Sequence, residues 1–191
     1  EEIYVLFTRS LWQLATLRQD ETAAAATDRL HEFLSQNISD FSDDELNRFA
    51  QYAIQTGAPA LSYRLRAQSS TTSESELFAL AQQSGLANES YQHALQIYRD
   101  DPTFENVQRV LTLVQQLGNW DQGIALAEQH ASLDCDNACL QVLINFLLAG
   151  NAVNSAADLA FIKAQRSDSP DDWLQATQQA LATGELVTAA F

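Results

Sequence analysis

An all-α fold is what this sequence predicts, and three observations carry the prediction. The 191 residues hold only 6 glycines and 3 prolines, too little punctuation for a chain of many short strands. Alanine and glutamine, both good helix formers, are abundant, and runs of alternating β-branched residues are missing. Gly57, Gly85, Gly118, Gly150 and Gly184 each stand just past an apolar periodic stretch, and successive members are 28, 33, 32 and 34 apart. Self-similarity at such a period marks a helical repeat array. One helix pair cannot bury its apolar face alone, so the pairs must stack.

Taken in order, the first helix is expected over 3–18, around Trp12, Leu14 and Leu17. The second, 22–36, carries Ala23 to Ala26, Leu30 and Phe33, and no glycine stands at the turn before it. Ser42-Asp43-Asp44-Glu45 is a capping box, with Phe41 and Leu46 as its hydrophobic staple, and opens a helix over 43–56 that stops at Gly57. A shorter helix, 58–68, follows. Ser73-Glu74-Ser75-Glu76 is a second capping box and opens 73–84, which Gly85 stops before 88–100. Asp101-Pro102 reads as N-cap and N1 proline of 102–117, stopped by Gly118. Then come 120–132, 137–149 up to Gly150, and 152–166. Ser169-Pro170 repeats the cap-and-proline device at 170–183, Gly184 stops it, and a last helix starts near 185. Paired, these give about six helix-turn-helix repeats: 3–36, 43–68, 73–100, 102–133, 137–166 and 170–191.

The sharpest unit runs from Gly118-Asn119-Trp120-Asp121-Gln122-Gly123-Ile124-Ala125 to Leu133-Asp134. It resembles the second half of a tetratricopeptide (TPR) repeat: Gly, an aromatic, an acidic position, a small residue, and a Leu-Asp ending. Gly123 stands where that family has a small alanine, Gln122 replaces one acid, and Cys135 replaces the closing proline. A small residue there lets the second helix approach the first closely. Projected onto the other units, the frame finds Ser90, Ala94, Ile97 and Pro102 after Gly85. It finds Ser155 and Leu159 after Gly150, and Trp173 with Ala189 around Gly184. The units around Gly57 and before residue 39 match poorly. Sel1-like and other α-solenoids share the pattern. The resemblance implies a right-handed superhelix of one solenoid over 1–191. The absence of methionine and the position of Phe191 inside a second helix imply a fragment of a longer array.

Charge excludes further classes. Ten Lys+Arg against 25 Asp+Glu give a formal charge of −15, and Lys163 is the one lysine. A chain this acidic lacks the basic footprint of a nucleic-acid binder, and anionic membrane surfaces repel it. No run of about 18 apolar residues reads as a membrane span. Asp43-Asp44-Glu45, Asp100-Asp101 and Asp171-Asp172 read as acids at helix starts, where the helix dipole favours them. His31, His93 and His130 show no metal spacing, His130 falls on an inner helix face, and no nucleophile or phosphate-loop motif is present. No catalytic residue, metal site or cofactor is expected. Cys135 and Cys139 are four apart. A loop-to-helix disulfide between them is feasible, and so is a reduced pair.

The first helix of each TPR unit lines the concave face. That register places there Asn47, Arg48, Gln51 and Gln55, then Glu76, Gln82 and Gln83. Arg109, Thr112, Gln115 and Gln116 follow, then Gln141, Gln175 and Gln178. Neutral amides both donate and accept hydrogen bonds, which suits a peptide backbone or sugar hydroxyls better than a bare carboxylate. The alternative is that these glutamines are simply solvated helix residues. The TPR resemblance, taken with the acidic, lysine-poor composition, implies a non-catalytic interaction scaffold. It is most like the periplasmic repeat regions of bacterial exopolysaccharide export proteins of the Pel type, which recruit a modifying enzyme or guide polymer. The expected partner is a basic protein or a cationic polysaccharide. A cytoplasmic adaptor that binds a peptide or helix, and a helical domain appended to an enzyme, are the rival readings.

Overall fold

A computed structural model describes residues 21–133 and 135–184. Among them it contains ten α-helices, a 3-10 turn at Ile38–Asp40 and no strand. The helices are α1 (Glu21–Gln36), α2 (Asp43–Gln55), α3 (Pro59–Gln68), α4 (Glu74–Gln83), α5 (Ala87–Asp100), α6 (Phe104–Leu117), α7 (Trp120–Ala131), α8 (Asn137–Ala149), α9 (Val153–Ser167) and α10 (Pro170–Thr183). Every helix expected between 22 and 183 forms close to its predicted ends. The helices expected over 3–18 and from about 185, with Trp12 and Asp134, lie outside the described residues.

The chain divides into two compact units, Glu1–His93 and Ala94–Phe191, with the boundary inside α5. In the first, α2 packs on α3 and α3 on α4. In the second, α6 packs on α7, α7 on α8, α8 on α9 and α9 on α10. Packing between sequence neighbours makes each unit a solenoid-like stack of helices.

The first unit is built on Leu30, Leu34, Leu46, Phe49, Ala53, Leu61 and Leu65, with Phe33, Phe41 and Tyr52 against them. Phe41 covers the start of α2, its ring 4.9 Å from that of Phe49, as a staple residue does. Both capping boxes form. The Ser42 and Ser73 amides donate to Glu45 and Glu76 at 2.9 and 3.1 Å.

The second unit is built on Val107, Val110, Val114, Leu140, Leu143, Ile144 and Leu147, all fully buried. Gly123 is the contact that sets its spacing. A Cβ there would lie 2.5 Å from Val114 Cγ1 and 2.6 Å from Phe146 Cζ, so α7 sits against α6 and α8 at a distance only glycine permits.

Two local expectations are corrected. Asp101-Pro102 does not cap α6. Thr103 does, its hydroxyl accepting from the Asn106 amide, while the Asp101 carbonyl and carboxylate take the Asn106 side-chain amide at 2.9 and 3.3 Å. Asp100 therefore ends α5 instead of starting α6, and it accepts from Gln96 at 3.0 Å. Gly150 ends α8 as expected, as its C-cap, but without the left-handed backbone of the other glycine stops. Its φ is −84°, and Asn151 takes φ 59° in its place. Gly150 is needed for approach instead: a Cβ would come within 2.8 Å of Trp120 Cε3.

Candidate functional site

A concavity with free polar groups over an apolar floor lies in the second unit. α6 contributes Gln108, Leu111, Thr112 and Gln115, and α8 contributes Val142, Asn145 and Phe146, around a cleft of about 230 Å³. The geometry follows from helical spacing. Gln108, Thr112 and Gln115 are four and three positions apart, so they stand on one face of α6. Asn145 breaks the apolar run of α8 at an exposed position. Below them Phe146 is only 4% exposed, with its ring 5.5 Å from that of Trp120.

No charged side chain lines this cleft. Thr112 turns its hydroxyl to the Gln108 carbonyl at 2.9 Å but keeps lone pairs for a ligand. The Gln108 and Gln115 side-chain amides have no partner among the described residues. The Asn145 carbonyl accepts from Gln141 at 3.0 Å, which leaves the Asn145 NH₂ free to donate. Gln141 is in turn held by Lys163, whose ammonium also pairs with Asp172 at 2.5 Å. That ammonium and the Ser167 hydroxyl hold the Asp172 carboxyl below its ordinary value. The cleft wall on α8 is thus braced by a chain of polar contacts reaching α9 and α10.

Of the residues predicted to line a groove, Thr112 and Gln115 line the cleft and Gln141 braces it. Gln116 is exposed on α6 outside the lining, Gln178 is exposed and Gln175 half-buried on α10. Arg109 is engaged within α6 by Asn106 and Glu105, both at 3.1 Å. In the first unit Arg48, Gln51, Gln55, Gln82 and Gln83 are exposed on α2 and α4. Asn47 is tied to Thr71 and Arg66 at 3.1 and 2.8 Å, and Glu76 is used by its capping box. Sequence reading passed over Gln108 and Asn145. The signal for the first was its four-position step from Thr112, and for the second a lone amide inside an apolar helix.

Each histidine is held by a hydroxyl. His31 Nε2 lies 3.0 Å from Thr56 Oγ1, His93 Nε2 3.0 Å from the Tyr63 hydroxyl, and His130 Nδ1 3.2 Å from the Tyr98 hydroxyl. His93 also pairs with Glu74 at 2.6 Å, which completes a hydroxyl–imidazole–carboxylate chain. That chain lacks an activated nucleophile. Burial, then the carboxylates of Glu89 and Glu74, push the Tyr63 phenol above its ordinary value, so it keeps its proton. Burial lowers His130, and it lowers His31 against the opposing pull of Asp28. Among the described residues no three His, Cys, Asp or Glu side chains gather as a metal site.

Cys135 and Cys139 are joined by a disulfide, with their Cα atoms 5.5 Å apart. Asp136, between them, caps α8 by accepting from the Cys139 amide at 2.8 Å. Arg166 reaches across from α9 to the Cys135 carbonyl at 2.6 Å. Both sulfurs are buried, which marks the bond as structural. No protein-family model matches the chain, and no curated protein matches it either.

Proposed function

We propose that this chain is a non-catalytic scaffold of TPR-like helix pairs that binds a protein partner in the cleft between α6 and α8. The observation that carries the reading is the amide rim, with the Gln108 and Gln115 side chains unpaired and the Asn145 NH₂ free, over the apolar floor of Leu111, Val142 and Phe146. Free donors and acceptors above buried apolar surface fit a polypeptide, whose backbone carries both in every residue. The formal charge of −15 favours a basic partner. No described helix is long and apolar enough to cross a membrane. The Cys135–Cys139 disulfide supports an oxidising compartment. With the TPR-like repeats, this leads us to propose a periplasmic role in an exopolysaccharide export assembly, with a polymer-modifying enzyme as the partner.

A photo-crosslinking residue placed at Gln115 in cells tests the scaffold reading. One discrete protein adduct is expected from Gln115 and none from the exposed Gln68 on α3. The adduct should fade when Gln108→Ala and Asn145→Ala are added. Equal adducts from both positions, or none, overturn the cleft as the binding site. Alkylation of the native protein before and after reduction tests the compartment: free thiols in the native chain would argue for the cytoplasm.

A further inference from the structure

The register of the second unit reveals a polarity gradient that extends the cleft. Phe104, Asn137 and Pro170 open α6, α8 and α10 and are evenly spaced, each 33 after the last. Positions 33 apart therefore occupy equivalent places on these helices. The cleft face of α6 is Gln108, Thr112 and Gln115. Its equivalents on α8 are Gln141, Asn145 and Leu148, and on α10 Leu174, Gln178 and Leu181. The same face therefore changes from amide and hydroxyl on α6, through a mixture on α8, to mostly leucine on α10. Leu174 and Leu181 are 58% and 51% exposed, the most exposed large apolar side chains among the described residues.

These leucines are not simply waiting for another helix of the stack. Gln108, Thr112 and Gln115 stay exposed although α7 and α8 follow α6. This register thus stays exposed even where the next first helix stands beside it across the cleft. An exposed apolar pair on such a face, in register with the amide rim, suits an occupant that is apolar at one end only.

We infer, building on the scaffold reading above, that the α6–α8–α10 face binds an extended peptide segment of about six or seven residues. Its polar, backbone-exposed half lies over the α6/α8 cleft, and an apolar residue at its other end seats between Leu174 and Leu181. The length follows from two helix-to-helix steps of about 10 Å each, covered at about 3.3 Å per extended residue. Charge sets the rest of the composition. The second unit's stretch, 94–191, carries Arg99, Arg109, Lys163 and Arg166 against twelve Asp and Glu. Arg109 and Lys163 are already ion-paired, and Arg166 is hydrogen-bonded to Cys135. The segment is accordingly neutral or basic.

The test is selection of a randomised heptapeptide library, displayed on phage, against the whole chain and two variants. Wild type is expected to enrich sequences with leucine-like residues in one half, hydroxyl, amide or basic residues in the other, and few acids. Leu174→Gln/Leu181→Gln, which gives α10 the amide character of α6, should lower recovery of those sequences at least tenfold. Gln108→Leu/Gln115→Leu should admit apolar residues in both halves. Enrichment that survives the leucine double variant overturns the gradient while leaving the cleft as a peptide site. Concentration-dependent dimerisation of wild type, lost in that variant, also overturns it, since a second copy would then be the occupant. No enrichment on any form sinks the peptide-scaffold reading as well.

Discussion

The two units reach the same helix-on-helix packing by different means. In the second unit the period is strict. Its N-caps Thr103, Asp136 and Ser169 recur 33 apart, and so do the left-handed residues that follow its first helices, Gly118, Asn151 and Gly184. In the first unit the helix starts Asp43 and Glu74 are 31 apart, and the left-handed Gly57 and Gly85 are 28 apart. A strict period lets one steric contact set the spacing, and Gly123 against Val114 and Phe146 is that contact. Where the period slips, polar side chains hold the loop between α3 and α4. Asp43 accepts from the Ser70 amide and hydroxyl at 2.9 and 2.6 Å, and Asn47 bridges Thr71 and Arg66. The five-residue loop before α8 is held instead by the Cys135–Cys139 disulfide and Arg166.

Gly123 is where this difference between the units is tested most directly. Gly123→Val puts branched carbon into space already filled by Val114 and Phe146 and should cost about 3 kcal/mol, at the upper end of core overpacking. Urea unfolding followed by Trp120 fluorescence reads it. The first unit has no described glycine in such a contact, since a Cβ at Gly57 or Gly85 meets nothing within 4 Å. An unchanged midpoint for Gly123→Val would mean that close approach does not set the period.

Next in size is the disulfide. It closes a very short ring, and the chain-entropy estimate for such a loop is about 2 kcal/mol. Reduction, or Cys135→Ser/Cys139→Ser, should lower the stability of the second unit by that amount. Exchange protection should fall first at Cys139 and Leu140, the start of α8. Protection lost equally across α2 and α3 would contradict a local role.

Much of this was legible in sequence because caps and stops are local. Ser42 and Ser73 fixed helix starts through capping bonds made over short stretches of chain, Ser169 took its N-cap position without a side-chain bond, and the glycines marked helix ends. Gly150 marked its helix end correctly, but glycine serves two needs, left-handed backbone and close approach, and only the three-dimensional position of Trp120 tells them apart. Taking the left-handed Asn151 in place of Gly150 turns the uneven 32 and 34 into an even 33. Asp101-Pro102 misled because Thr103 offered an equally good cap two positions later. The cleft was half legible. Thr112 and Gln115 follow from helical register, but Asn47 and Arg109 have the same residue character and are taken up by neighbours no sequence pattern reveals.

A smaller effect separates the two glycine roles. Gly150→Ala drives a Cβ into the Trp120 ring and should cost about 1–2 kcal/mol, with a shift in Trp120 emission. Asn151→Gly relieves a left-handed non-glycine residue and should be neutral or stabilising by a few tenths of a kcal/mol. Stability measured by urea titration should therefore move in opposite directions at adjacent positions. If Asn151→Gly destabilises more than Gly150→Ala, then backbone conformation and not approach to Trp120 governs that turn.

The smallest effect comes from a motif both units share. Tyr63–His93 and Tyr98–His130 are the same hydroxyl-to-imidazole contact, and Glu74 also stands against His93 at 2.6 Å. His130 is 4% exposed, and burial lowers its pKa. The Tyr98 hydroxyl lies 3.2 Å from His130 Nδ1, and burial raises the phenol above its ordinary value. Because the folded pKa lies below the unfolded value near 6.5, the contribution of neutral His130 is complete above about pH 6.5. It is lost as pH falls toward the folded pKa, where the unfolded chain takes up the proton first. His31, lowered the same way, adds a slope of the same sign in the first unit. His130→Phe should flatten the decline of thermal midpoint between pH 7 and 5, and His31→Asn should flatten what remains. A slope that persists unchanged in the double variant would place the acid sensitivity in other groups.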